Sequence, residues 1–364
     1  MARAQPKYHH ISEQLLTRLN KGEWQAGERL PGEIQIAEEY GVSYMTVRNA
    51  ISELVKDAKL RRVRGRGTYA VPNENPDTRP SLGLLLTARW HSVDPFYFPC
   101  VVDGFVSRAA ELGFQVHIAD QTEPLIDFLT LKKLRVSAVA CVLLGATDLA
   151  ECDDLLDRGV LVVAINNYSG SRRIPAVSPN NRKGAYDAAS YLIRLGHENF
   201  VYLQGPEGNF DAMERQKGIE LALQDAAIPL THLDVLPGGF MEDSGYAWGK
   251  KIALWELLPT AILTASDLSA IGLIRALTEQ GVSVPQDVSV FGFGDFRLSS
   301  YFTPALTTVR LPLIEIGRHA ADALVEQYRG VRSDETILEC PLVIRESVAP
   351  PRNLKNVSEK AKKR

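Results

Sequence analysis

Cysteine is scarce in this chain. Only four of its 364 residues are cysteine, and Cys100, Cys141, Cys152 and Cys340 lie far apart, with no C-x-x-C pair and no histidine partner nearby. Those spacings fit neither a zinc site nor a disulfide framework and read as reduced thiols in cores. Long apolar runs are lacking too: none approaches the roughly 20 residues needed to span a bilayer. The opening MARAQPKYHHISEQ has no apolar core of a signal peptide, so a cytoplasmic protein with no membrane partner is expected. There is no G-x-S-x-G, no H-E-x-x-H and no P-loop, and the seven histidines share no metal spacing. The expectation is therefore no enzyme, with no catalytic residue, metal or cofactor.

Charge is present but unevenly spread. The formal net charge is −3, yet residues 1–72 carry +4, residues 73–351 carry −12 and the tail from Arg352 carries +5. A basic head on an acidic body implies that only the head meets a polyanion. At about two to three times the usual domain length, the chain should hold more than one core. The segment PNENPDTRP, Pro72 to Pro80, has three prolines and no apolar side chain and reads as a stiffened linker. The expected divisions are a head over 1–72, a linker over 73–80, a body over 81–351 and a disordered basic tail over 352–364.

Before the linker, ISEQLLTRL, EIQIAEEY and TVRNAISELV carry apolar residues at helical spacing, and LRRVRGRGTYAV alternates as a hairpin would. Gly41 supplies a left-handed turn between the second and third helices, and Ser43 is a good N-cap. On the third helix Val47, Ala50, Ile51 and Leu54 share one face, while Met45, Asn49 and Ser52 point away, flanked by Thr46 and Arg48. After the linker SLGLLLT, QVHIA, AVACVLL, VLVVAI, FVYLQ, AILT and VSVFGF read as buried strands between helical stretches. That alternation is the signature of parallel sheets with crossover helices. About 270 residues is too many for one open sheet, so two lobes are expected.

The head, in its strings YHHISEQLLTRLNKGEWQAGERLPGE, IAEEYGVSYMTVRNAISEL and RGRGTYAV, resembles the winged helix-turn-helix of the GntR family. The resemblance implies that Ser43, Tyr44, Thr46 and Arg48 lie at a major-groove helix, whose outward Met45 and Asn49 join the expected DNA-binding set, and that Arg64, Gly65 and Arg66 form a wing tip on double-stranded DNA. Gly32 stands where that family usually has serine, and Tyr44 where it usually has arginine. The glycines of GRGTYAV lead into a strand and a linker, not into the helix that a phosphate-cradling loop requires.

The body resembles the LacI family core through YLIRLGHENFVYLQG, ERQKGIELAL, TASDLSAIGLIRALTEQGVSVPQDVSVFGFGDF and TPALTTVRLPLIEIGRHAADALV. The implied fold is α/β: a two-lobed, periplasmic-binding-protein-like (type I) effector domain with a ligand between the lobes. Carried over, the effector residues are Phe96, Asn166, Arg215, Phe240, Ser266, Asp267 and Asp295. Arginine and asparagine suit paired hydrogen bonds to hydroxyls, and aromatic faces suit sugar C–H groups. Each has a plainer alternative: Phe96 and Phe240 as core, Arg215 as a surface ion pair, Asp267 as a helix N-cap, and His197 is read as structural. Ser266 replaces an amide and Gly294 a carboxylate of the family pattern.

The combination is similar to arabinose-repressor-type regulators. The leading reading is a ligand-controlled transcription regulator, a homodimer on a near-palindromic operator, answering to a sugar or sugar derivative. The alternative is a small-molecule receptor with no transcriptional role.

Overall fold

The computed structural model of the protein describes residues 7–21, 23–24, 27–57, 59–63, 67–71, 80–86, 96–120, 131, 134, 136–142, 146–166 and 174–352. The expected linker, apart from Pro80, and the tail beyond Arg352 lie outside the described residues. The chain divides into two compact units, Met1–Arg79 and Pro80–Arg364.

In the first unit, helices α1 (Lys7–Asn20), α2 (Glu33–Tyr40) and α3 (Tyr44–Lys56) are followed by strands β1 (Leu60–Val63) and β2 (Gly67–Ala70). The strands pair antiparallel, Leu60 opposite Ala70 and Val63 opposite Gly67. Ile11, Leu15 and Leu19, four residues apart on α1, form one stripe that packs with Ile36, Val47, Ile51, Leu54 and Leu60. Arg18 fastens the end of α1 to that of α2: it donates to Glu39 Oε1 at 2.8 Å and Tyr40 Oη at 3.0 Å, with its guanidinium 4.7 Å from the Trp24 ring centre. Gly41 takes φ 62°, the left-handed turn that lets α2 stop and α3 start three residues on.

The second unit is built on two six-stranded sheets. The first contains β3 (Ser81–Leu86), β4 (Gln115–Asp120), β5 (Val136–Val142), β6 (Leu161–Ile165), β7 (Ala176–Pro179) and β13 (Thr336–Leu338), in the order β4-β3-β5-β6-β7-β13, all parallel. The second contains β8 (Phe200–Leu203), β9 (Leu233–Leu236), β10 (Ala261–Thr264), β11 (Ser289–Gly294), β12 (Thr307–Arg310) and β14 (Leu342–Val343), in the order β9-β8-β10-β11-β12-β14, with only β14 antiparallel. Every residue of β3 and β10 is buried, as parallel strands covered on both faces must be.

Helices α4 (Tyr97–Glu111), α5 (Ala146–Asp157), α6 (Asn181–Arg194), α7 (Phe210–Asp225), α8 (Glu242–Ile252), α9 (Asp267–Glu279), α10 (Arg297–Tyr301) and α11 (Leu313–Tyr328) complete this unit among the described residues. The chain passes between the lobes three times. It leaves the first sheet after β7, returns after β12 so that α11 packs on α4, and crosses again between β13 and β14. Each sheet therefore reverses its strand order beside its first strand, the position at which open α/β sheets leave a crevice at their carboxyl ends. Among the described residues no helix is long and apolar enough to cross a membrane.

Paired helices in the second lobe approach so closely that side chains are excluded. A Cβ on Gly272 of α9 would fall inside contact distance of the Glu242 carbonyl on α8. Gly272→Ala should therefore lower the stability of the body by about 2 kcal/mol, read as an earlier urea midpoint at unchanged slope. Gly32 differs: it has extended φ/ψ of −62° and 148°, and the nearest atom to an added Cβ is Gln35 Oε1 at 3.8 Å. Gly32→Ser should stabilise the head by a few tenths of a kcal/mol, because the hydroxyl can cap α2.

Candidate nucleic-acid interface and ligand cleft

In the first unit, Ser43 Oγ accepts from the Thr46 amide at 3.2 Å and so caps α3, with its hydroxyl 2.8 Å from that of Thr46. The helix then buries Val47, Ala50, Ile51 and Leu54 and leaves Ser43, Tyr44, Met45, Arg48 and Asn49 exposed, with Thr46 half-buried. The Arg48 guanidinium sits 6.0 Å from the Tyr44 ring centre. One helix end thus offers a cation, an amide, hydroxyls and an apolar tip, the mixture that reads base edges and thymine methyls. Ile34 on α2, 64% exposed, is a further apolar group that the periodic reading did not single out. Arg64, Gly65 and Arg66 lie outside the described residues. The strands that lead to them, ending at Val63 and starting at Gly67, are in place.

In the second unit the carboxyl ends of the strands converge on a buried polar chain. Asn166 follows β6 in a left-handed conformation, φ 68°, and is fully buried. Its Nδ2 donates to the Tyr97 hydroxyl and, at 3.4 Å, to Asp211 Oδ2. Asp211 Oδ1 accepts from Asn181 Nδ2 at 2.8 Å, and Asn181 Oδ1 accepts from Arg215 Nε at 2.8 Å. Arg215 Nη1 donates to the Ala265 carbonyl, and its guanidinium lies 4.0 Å from the Phe293 ring centre and 5.7 Å from that of Phe240. Tyr97 and Asn166 belong to the first lobe and Asn181, Asp211 and Arg215 to the second, so the chain of bonds spans the cleft. Among the described residues Asn166 Oδ1 is buried without a donor. Burial also pushes the Tyr97 hydroxyl's pKa far above its ordinary value, with the Asp211 charge adding to the shift, so the phenol stays neutral.

The remaining expected effector residues are turned into the protein. Ser266 caps α9, accepting from the Ser269 amide at 3.1 Å, and donates to the Phe240 carbonyl. Asp267, the first residue of α9 and not its cap, is wholly buried. Its Oδ2 accepts from the Phe296 amide at 3.1 Å and the Ser299 hydroxyl at 2.5 Å, and its Oδ1 from the Thr308 hydroxyl at 2.5 Å. Asp295, at φ 58°, accepts from Arg310 Nε at 2.6 Å and Arg345 Nη2 at 2.5 Å. Gly294 has φ 150°, and an added Cβ would stand 2.7 Å from the Phe296 ring. That ring, 5.5 Å from the half-buried Phe96, fills the space.

Arg215 is not a surface ion pair: only 3% of it is exposed. Sequence reasoning passed over Tyr97, Asn181, Asp211, Phe293 and Phe296. A signal existed for Asp211, which lies four residues before Arg215 and hence on the same face of α7. His197 Nε2 donates to the Ala349 carbonyl at 2.9 Å, a structural role. The four cysteines are thiols and not disulfides, Cys141, Cys152 and Cys340 are buried, and burial pushes the Cys340 thiol up to about 12. Among the described residues no group of three or more histidine, cysteine or carboxylate side chains could hold a metal.

Comparison with known proteins agrees with both halves. Residues 7–70 match the bacterial regulatory proteins of the gntR family, and residues 189–348 match a periplasmic binding protein-like domain. The chain joins a GntR-type regulatory head to a LacI-like effector body. It is a ligand-responsive, DNA-binding transcription regulator. The regulator is 26% identical, over 94% of its length and 97% of the other protein, to the arabinose metabolism transcriptional repressor of Geobacillus stearothermophilus. It is 29% identical to the HTH-type transcriptional repressor PurR of Vibrio vulnificus, over 75% of this chain and 82% of that protein. The crystal structure of the Escherichia coli transcriptional repressor ascG matches with a TM-score of 0.64 at 26% identity, over 75% of the regulator and all of that chain.

Asp267 gives a test of how the second lobe is held. Asp267→Ala strands the Phe296 amide and two hydroxyls and should cost about 3 kcal/mol in chemical denaturation, whereas Asp267→Asn should cost less. Burial raises the carboxyl's pKa in the folded state. Its contribution is therefore full below the ordinary aspartate value and lost as pH rises through the raised one. Relative to Asp267→Asn, wild-type stability should fall across that window and then level off.

Proposed function

We propose that the protein is a repressor that acts by binding alone, as a cytoplasmic homodimer on a near-palindromic operator, and is controlled by a neutral, hydroxyl-rich effector of sugar type. The observation that carries this reading is the buried chain from Tyr97 through Asn166, Asp211 and Asn181 to Arg215, which joins the lobes and leaves Asn166 Oδ1 without a donor. A ligand hydroxyl supplies what that oxygen lacks. A neutral effector is favoured because Arg215 Nε and Nη1 already have acceptors within the protein and a second anion would stand beside Asp211. In this reading Phe96, Asn166, Arg215 and Phe240 contact the effector together with Asp211. Ser266, Asp267 and Asp295 hold the strand ends that shape its site.

In the head, Ser43, Tyr44, Met45, Thr46, Arg48 and Asn49 read the major groove, and Arg64, Gly65 and Arg66 grip the backbone. Names of the relatives support repression: the three proteins compared above are each described as a transcriptional repressor.

Two measurements test this. Arg48→Ala should weaken binding to a duplex selected from random DNA by about 1 to 3 kcal/mol, with the fold intact by circular dichroism; unchanged affinity removes Arg48 from the interface. In calorimetry with neutral pentoses and hexoses, sugar acids and sugar phosphates, binding is expected among the neutral compounds and should be lost on Asn166→Ala. Tight binding of an acid that survives Asp211→Asn unchanged contradicts the neutral assignment.

A further inference from the structure

Arg62 stands on β1 and belongs to none of the groove-facing positions above. Its guanidinium ties three elements together. Nη2 donates to Glu33 Oε1 in the first turn of α2 at 2.6 Å and to the Arg48 carbonyl on α3 at 3.3 Å. Nη1 donates to Ser52 Oγ at 3.0 Å, and that hydroxyl donates in turn to the Arg48 carbonyl at 2.7 Å. The Arg62 side chain is 36% exposed and that of Glu33 19%.

We propose that Arg62, with Glu33 as its anchor, is a positioning residue for DNA recognition. It fixes the wing strand against the recognition helix so that Arg48 and the wing meet DNA in one geometry, and it does so without touching phosphate itself. The inference rests on the DNA-binding reading of the head. Three features of the contact carry it. Both terminal nitrogens already have acceptors within the protein, three bonds in all, so the fork is directed inward to the helices. The pair is locally neutral, so Glu33 presents no unpaired carboxylate to a polyanion and Arg62 no free cation. The acceptors lie on two separate helices, Glu33 on α2 and the Arg48 carbonyl and Ser52 hydroxyl on α3, a task that suits a planar fork and not the point charge of lysine. A group that preorganises an interface contributes to specific affinity, whereas a phosphate contact contributes to every sequence alike and to the salt dependence.

The experiment uses the full chain, a duplex selected by the wild-type protein from random DNA, and a scrambled duplex of the same length and composition. Arg62→Met, Arg62→Lys, Glu33→Gln and the Arg62→Met/Glu33→Gln double variant are compared over a range of salt. Arg62→Met should lose roughly tenfold in affinity for the selected duplex, with the slope of log affinity against log salt unchanged and scrambled-duplex binding unaffected. Arg62→Lys should not restore the loss. Glu33→Gln should lose part of it, and the double variant should be no worse than Arg62→Met, because Glu33 acts only through Arg62. A slope reduced by about one unit, with selected and scrambled binding weakened alike, would make Arg62 a phosphate contact and overturn the proposal. So would additive losses, or no loss in either single variant. Should Arg62→Met melt below the assay temperature, Glu33→Gln, which changes one exchangeable group, decides between the same outcomes. If no duplex is selected at all, the DNA-binding reading fails and this inference falls with it.

Discussion

The body turns on one constraint: a guanidinium removed from water must find its acceptors inside the protein. Arg215 finds them in Asn181 Oδ1 and the Ala265 carbonyl, and lays its face on Phe293. Each acceptor is thereby committed. Asn181, with its oxygen taken, turns its amide nitrogen to Asp211, and Asp211 takes a second amide from Asn166 across the cleft. Burying a charge pair of this kind costs more than it returns unless every remaining lone pair and proton is satisfied. Among the described residues Asn166 Oδ1 is an acceptor of this chain that no donor meets.

Around that chain, the rest of the second lobe serves to hold strand ends. Asp267 gathers the Phe296 amide and the hydroxyls of Ser299 and Thr308, drawing together the carboxyl ends of β10 and β11, the α10 region and β12. Asp295 does the same for Arg310 and Arg345. The two carboxylates resemble ligand groups in sequence and behave as ties in three dimensions. Positions 266 and 294, where the sequence departs from the pattern it resembles, are accommodated locally. Ser266 still caps α9, and the space a side chain at Gly294 would enter is taken by Phe296.

The head reaches a comparable economy with fewer residues. A single apolar stripe on α3 anchors the helix and forces its polar residues outward. Arg18 and Arg62 then lock helix to helix and helix to strand by the same device, a guanidinium shared among acceptors on different elements.

Much of this architecture was legible in the residues. The seven anticipated strands are all present within two residues at either end, and the exposed and buried faces of α3 follow its periodicity. β9, β13 and β14 were not anticipated because they are short and half-exposed, and β7 and β12 because serine, threonine and proline interrupt their apolar pattern. By itself, then, the sequence determined a helical, basic head and a parallel α/β body of two lobes, because periodicity and charge are local properties. Only the tertiary structure decided which polar residues face a cleft and which are bound to neighbours. Asp211 and Asp267 are both acidic residues in the first turn of a helix. What separates them is which amides and hydroxyls, brought from far along the chain, arrive beside each carboxylate.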